Sequence, residues 1–225
     1  MAAFDVEEVE TIEGGVKTEL NDGRLRLNSA VFFTEAKNQQ QGTQEFDASG
    51  AIWFRTVNTG KSEYTGVELE VLSNPFGGAL QLEGSVGYID YDRVDPGRSG
   101  LCRTLPNGDS CPAPRTPEWT AALGVTYDWS LANGSTLSLR GDAAYTSKMF
   151  FSTDPVNGFQ DAHTLVDARL TWQSPDQGWS MALFGTNLTD EVYFNGKLSL
   201  VTVLGREQGN VAPPRMLGLS LKRSF

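Results

Sequence analysis

One histidine, two cysteines and no long apolar run limit what these 225 residues can do. A membrane-spanning helix needs about 18 or more consecutive apolar residues, and no window approaches that. This excludes a helical membrane protein. It leaves membrane β-barrels open, because their strands average to a mildly polar composition like the mean hydropathy of −0.30 found here. Positive charge is also scarce. Lys and Arg total 18 against 28 Asp and Glu, a net charge of −10, so nucleic acid is not an expected partner. The excess acid reads as solvated loops and barrel interior. The first residues, Met1-Ala2-Ala3-Phe4-Asp5 followed by Val6-Glu7-Glu8-Val9-Glu10, have neither the basic segment nor the apolar core of an export signal.

The rare reactive residues form no catalytic set. His163 lies near Asp161 and Asp167. One imidazole with scattered carboxylates is not a metal-ligand group, and no Gly-x-Ser-x-Gly motif accompanies it. It reads as a polar residue where a loop meets a strand. Glu68 and Glu70 share one strand face, as a glycosidase pair would, but carboxylates facing a polar lumen account for them equally well. No catalytic residue, metal ligand or cofactor is assigned, and an enzyme is not expected. Cys102 and Cys111 sit close together in a Gly- and Pro-rich stretch. In an exported protein they would form a disulfide closing a short loop, worth about 2–3 kcal/mol; in a cytosolic loop they would remain free thiols.

What the chain does have is alternation. Leu217, Leu219, Leu221 and Phe225 share one parity near the C-terminus, and Gly218, Ser220, Lys222 and Ser224 share the other. Period two means a strand with one apolar and one polar face. An aromatic last residue suits the interfacial girdle of a membrane barrel, and Arg223, the one charge on the apolar parity, can snorkel to headgroups. The segment from Glu118 to Trp129 is cleanest, with Trp119, Ala121, Leu123, Val125, Tyr127 and Trp129 on one face. Similar strands are predicted over Thr11 to Leu20, Arg24 to Ala36, from no later than Tyr64, Ala79 to about Asp92, Thr136 to about Ser147, around Val166 to Trp172, and Trp179 to about Leu188. The facing of the last of these is left open. Asn21-Asp22-Gly23, Asn74 to Gly78, Asn133-Gly134 and Ser174 to Gly178 make short turns. Lys37 to Gly50, Arg93 to Arg115, Asp154 to Gly158 and Asn195 to Ala212 make the longer connections. The expectation is all-β: nine antiparallel up-and-down strands with tight turns at one end and long loops at the other. Tryptophans and tyrosines cluster near strand ends, as two interfacial girdles require.

Four stretches resemble one family. Thr186-Asn187-Leu188-Thr189-Asp190-Glu191-Val192-Tyr193 is similar to the penultimate strand of TonB-dependent receptors. Glu8 to Thr18, Val57 to Glu70 and Pro214 to Phe225 resemble three further strands of their C-terminal barrel, in the same order. The resemblance implies a transmembrane β-barrel, 22-stranded in the whole receptor with a plugged lumen, in the outer membrane of a Gram-negative bacterium. It implies import of a scarce nutrient, such as a ferric siderophore or similar iron complex. The implied partners are outer-membrane lipid, the small nutrient ligand, and the energy-coupling TonB complex acting through a plug domain. That plug, the energy-coupling box and roughly the first half of the barrel have no counterpart in residues 1–225, so the chain is expected to be a C-terminal fragment forming an open curved sheet or partial barrel. Ligand contact is expected from the loops Arg93 to Arg115 and Asn195 to Ala212, since binding residues concentrate on loops held by a rigid scaffold. Alternatives are a small passive outer-membrane barrel serving as pore or adhesin, and a soluble β-sheet binding module.

Overall fold

The structure is a computed structural model, and it describes residues 4–46, 49, 51–95, 112–152, 158–200 and 205–224. Thirteen strands account for most of them: β1 Glu8–Leu20, β2 Leu25–Phe46, β3 Ile52–Ser73, β4 Leu80–Asp95, β5 Trp119–Ser130, β6 Thr136–Thr146, β7 Met149–Phe150, β8 Phe159–Gln160, β9 His163–Gln173, β10 Trp179–Thr186, β11 Phe194–Leu200, β12 Arg206–Val211 and β13 Met216–Arg223. Nine of these form a single antiparallel sheet in the order β1-β2-β3-β4-β5-β6-β9-β10-β13. These are the nine predicted strands. Every neighbour in the sheet is the next long strand in the chain, which is the up-and-down arrangement, and no helix occurs among the described residues.

Register turns the alternation of single strands into two continuous faces. Ile12 pairs with Phe33, Val31 with Val67, Val86 with Leu69, Val86 with Ala121, Leu139 with Tyr127, and Leu183 with both Leu170 and Leu219. Antiparallel partners point the same way, so one face is apolar across all nine strands. It carries no charge from Ile12 to Leu20, Leu25 to Phe33, Thr65 to Ser73, Leu80 to Tyr88, Trp119 to Trp129, or over the matching stretches of β6, β9, β10 and β13 up to Leu221. Nine residues at roughly 3.4 Å each cover about 30 Å along a strand. A tilt near 40° reduces that to about 23 Å, the height of an outer-membrane apolar band.

This face is not a protein core. Leu123 is 54% exposed, Leu139 43%, Leu170 38% and Leu219 72%. The only buried apolar residues among those described are the alanines Ala36, Ala113, Ala182 and Ala212. A soluble β-sheet module would fold one face over the other, and this sheet does not. The partnering of β10 also fixes the facing that sequence left open. Trp179, Met181 and Leu183 lie with Arg223, Leu221 and Leu219 on the apolar face, whereas Ala182 and Phe184 lie with Ser220 and Gly218 on the polar one. Arg223 packs 4.9 Å over the Trp179 ring at the turn end, where an interfacial cation belongs.

Three connections differ from expectation. The polar stretch Lys37 to Gly50 was expected to be a loop, but β2 and β3 stay paired through it as far as Phe46↔Ile52. From Lys37 to Glu45 every residue but Gly42 is polar, which suits a hairpin standing in water and hides it from any search for apolar periodicity. Asn195 to Ala212, expected to be one long loop, holds the paired strands β11 and β12. The connection around Asp154 is flanked by the short pair β7 and β8.

Candidate functional site

Above the apolar belt the outward face turns charged within one residue pair. Glu10, Glu35, Glu63 and Asp92 stand side by side across β1 to β4. Four adjacent carboxylates would repel, and two lysines offset this. Lys37 pairs with Glu35 at 2.6 Å, and Lys61 pairs with Glu35 and, at 2.8 Å, with Glu63. Hydrogen bonds from Lys37 and then Lys61 hold the Glu35 carboxyl below its usual range, and Glu35 and then Glu63 raise Lys61. This row marks the upper edge of the belt.

The opposite face is a polar wall. Arg140 on β6 reaches across β5 to Glu83 on β4, with Nη2 donating at 3.0 Å, and also donates to Asp142 at 2.7 Å and Thr126 at 3.4 Å. Gly124, between Glu83 and Asp142 in register, makes this possible, because a Cβ there would come within 3.0 Å of the guanidinium. The cluster borders an open concavity lined also by Glu70, Ser85 and Asp167. Glu68 and Glu70 lie on this wall, and Glu70 accepts from Asn28 at 3.1 Å. Higher up, Ser62 is buried, donates to Gln39 at 2.8 Å and lies 3.2 Å from the Tyr91 hydroxyl, which accepts from Arg93 at 3.0 Å.

At the long-loop end, the Thr186 to Tyr193 segment forms an elbow between β10 and β11. Asn187 is buried with φ of 49°, a conformation that asparagine tolerates better than most residues. Its side chain accepts from the Glu191 amide at 2.8 Å and donates to the Glu191 carbonyl at 2.9 Å, while its own amide donates to Asp167 at 2.8 Å. Arg215 of the closing segment pairs with Asp190 at 3.3 Å. His163 is buried in the same region, stacked on Tyr193 with ring centroids 5.0 Å apart and Nδ1 lying 3.2 Å from the Asp161 carbonyl. This is the loop-to-strand junction inferred from sequence.

Both expected ligand loops lead to one place. Pro114 bridges to Phe150, and the Arg115 amide donates to the Phe150 carbonyl at 2.7 Å. The β11–β12 hairpin meets β7–β8 through Glu207, which accepts from the Gly158 amide at 2.5 Å. Around this junction Lys148 lies 4.1 Å from the Phe159 ring centroid, Lys197 lies 4.3 Å from Phe194 and 5.5 Å from Phe159, and Arg115 lies 5.5 Å from Phe151. Sequence reading named Arg115 and Lys197 only as loop members, Phe194 only as an aromatic near a strand end, and missed Lys148, Phe150, Phe151 and Phe159. No local signal joins them, since they come from four separate segments. Cys102 and Cys111, and residues 96–111 of the first loop, lie outside the described residues.

Comparison with known proteins places these features in context. A family model described as TonB dependent receptor-like, beta-barrel matches residues 2–188. A probable TonB-dependent siderophore receptor, PiuA, of Acinetobacter baumannii is 26% identical over 196 residues, 85% of this chain and 24% of that protein. The chain thus spans about a quarter of that relative. Among solved structures, the ferric yersiniabactin uptake receptor FyuA from Yersinia pestis superposes with a TM-score of 0.76 at 20% identity, covering 97% of this chain and 30% of the other. The ferripyoverdine receptor of the outer membrane of Pseudomonas aeruginosa gives 0.68 at 19% identity, covering 97% of this chain and 27% of the other. At these identities the structural likeness shows the fold.

Proposed function

The chain belongs to the TonB-dependent receptor β-barrel family, and on that premise we propose that it forms the C-terminal wall of an outer-membrane receptor importing a scarce nutrient, a ferric siderophore or similar iron complex. The observation that carries this reading is the charge-free belt running across one face of all nine strands, with its large apolar side chains exposed. In water such a surface would aggregate; in lipid it is the preferred state. Strand number supports a larger barrel. In a sheet of nine alternating strands, β1 and β13 run in the same direction, so joining them directly needs a parallel pair. Further strands between these two edges remove that need and cover backbone groups that hydrocarbon cannot satisfy.

In this reading the residues divide the work. The belt residues hold the wall in outer-membrane lipid. The Arg140–Glu83–Asp142 wall faces the lumen, where a plug domain couples the receptor to the TonB complex. The loops Arg93 to Arg115 and Asn195 to Ala212 present contacts to the small nutrient ligand, and a Cys102–Cys111 disulfide closes the first of them. Residues 1–225 form one domain, the C-terminal portion of the barrel. The test is uptake of labelled ferric complexes by iron-limited cells with the gene deleted and restored, alongside fractionation of the protein. Uptake lost on deletion, with the protein in the outer-membrane fraction, supports the reading. Unchanged uptake of every ferric complex tried would overturn it.

A further inference from the structure

Where the β2–β3 hairpin rises past the end of β1, the segment entering β1 is held by side chains instead of by a ladder. The ladder between β1 and β2 begins at Glu8↔Lys37. Continued by one residue per rung, it would set Asp5 opposite Gln40, which is itself paired with Asn58 on β3. Yet Asp5 bonds to Asn58. Two strand spacings come to about 9.6 Å, more than one asparagine side chain and one hydrogen bond span within a sheet. Residues 4–7 therefore leave the sheet plane and cross over β2.

Asn58 meets them with the donor and acceptor of a peptide group. Its Oδ1 accepts from the Asp5 amide at 2.6 Å, and its Nδ2 donates to the Asp5 carbonyl at 3.0 Å. These are the two bonds that an opposite residue makes in a hydrogen-bonded antiparallel pair. Nδ2 also donates to the Asn38 carbonyl at 2.7 Å, and Gln40 donates to the Asp5 carbonyl at 3.3 Å. Asn38 has a φ of 54°, so the β2 backbone turns just where it loses β1 as a neighbour. Between these two residues, Gln39 accepts from Ser62 at 2.8 Å and donates to the Tyr64 hydroxyl at 3.3 Å. The neck of the hairpin is thus held at 38, 39 and 40 in succession.

We infer that residues 4–7 form a strap over the neck of the β2–β3 hairpin, closed by Asn58, and that this strap fixes the angle at which the hairpin leaves the wall. Above the neck the hairpin pairs with no other strand among the described residues, so nothing in the sheet sets that angle. With the strap closed, the hairpin and the segment entering β1 move as one body. With it open, the turn at Asn38 acts as a hinge. The strap stands on geometry alone and does not depend on the uptake reading.

The experiment follows amide exchange, resolved to single residues, in the full-length receptor carrying these strands, held in lipid nanodiscs. In Asn58→Ala the Asp5 amide is expected to exchange at least about tenfold faster, because its opening no longer breaks a bond. A nitroxide on a cysteine at the exposed Thr56, in a receptor whose own cysteines are replaced, should become more mobile in the same variant. Asn58→Asp keeps the shape and the acceptor but sets oxygens against the carbonyls of Asp5 and Asn38, so it should free the nitroxide as alanine does. Exchange across β5 and β6 should be unchanged in both variants. Wild-type Asp5 exchange or nitroxide motion in Asn58→Ala overturns the strap, and so does wild-type nitroxide motion in Asn58→Asp. Lost protection throughout β5 and β6 overturns it too, since Asn58 would then support the whole sheet.

Discussion

Placing arginine at Leu123 probes the belt where it should matter most. Trp119 and Trp129 bracket the outward face of β5. Ten residues at roughly 3.4 Å span about 34 Å of strand, or about 26 Å of depth at a tilt near 40°, so Leu123 lies about 10 Å below the upper girdle, close to the midplane. Its neighbours in register are Gly84 and Ala143, neither of which offers a polar partner. A guanidinium there should therefore cost about 2–4 kcal/mol. Leu221→Arg, beside Met181 and one outward-facing position from Arg223, should cost no more than about 1 kcal/mol, because snorkelling is short at the girdle. Thr126→Arg points to the polar wall, opposite Gln81 and Arg140 in register, and should cost less than Leu123→Arg because its charge stays out of lipid. The assay is reversible urea unfolding of the full-length receptor in phosphatidylcholine vesicles, followed by tryptophan fluorescence. Equal destabilisation by Leu123→Arg and Thr126→Arg would refute the assignment of faces.

Two further outcomes follow from local geometry and a third from the sequence. The lowered Glu35 carboxyl contributes to the β2–β3 extension above its unfolded value near 4.5 and loses that contribution as pH falls through its lower folded value. Amide exchange across 37–61 should thus quicken below about pH 4 in wild type and show no such acid step in Glu35→Gln. Asn187→Ala strands the Glu191 backbone groups and puts alanine at a positive φ, so it should cost about 1–3 kcal/mol, read as a lower thermal midpoint of the folded barrel on unheated gels. Mass mapping of the full-length receptor without reductant should find Cys102 joined to Cys111, and both thiols free to alkylation would reject the pairing.

The fold was legible where one face meets lipid and the other meets polar groups, since that contrast is written at period two. β5 is the clearest case, with six apolar residues on one parity. β10 resisted because Phe184 stands on its polar face, filling the space over Gly218, and Gly185 on its apolar one; only pairing with β9 and β13 decides between them. The upper half of β2 was invisible for the opposite reason, since Lys37 to Glu45 are polar at every position but Gly42. The Asn187 elbow announced itself as a motif, although its logic of a positive φ with the side chain bonded to both backbone groups of Glu191 appears only in three dimensions. The Lys148–Phe159–Lys197 cluster left no trace in the sequence, because its geometry depends on two short hairpins meeting beyond the sheet.

The central claim is that one face of this sheet meets lipid and the other does not, and spin-label accessibility along β6 tests it most directly. Single cysteines at 137 to 145 of a full-length receptor whose own cysteines are replaced, labelled with a nitroxide in native outer membranes, report collisions with oxygen in lipid and with a nickel chelate in water. The account predicts period-two alternation, with oxygen favoured at 137, 139, 143 and 145 and oxygen contact low at 138, 140, 142 and 144. Labels shielded from both reagents at Leu137, Leu139 and Tyr145, as inside a packed protein core, would contradict it.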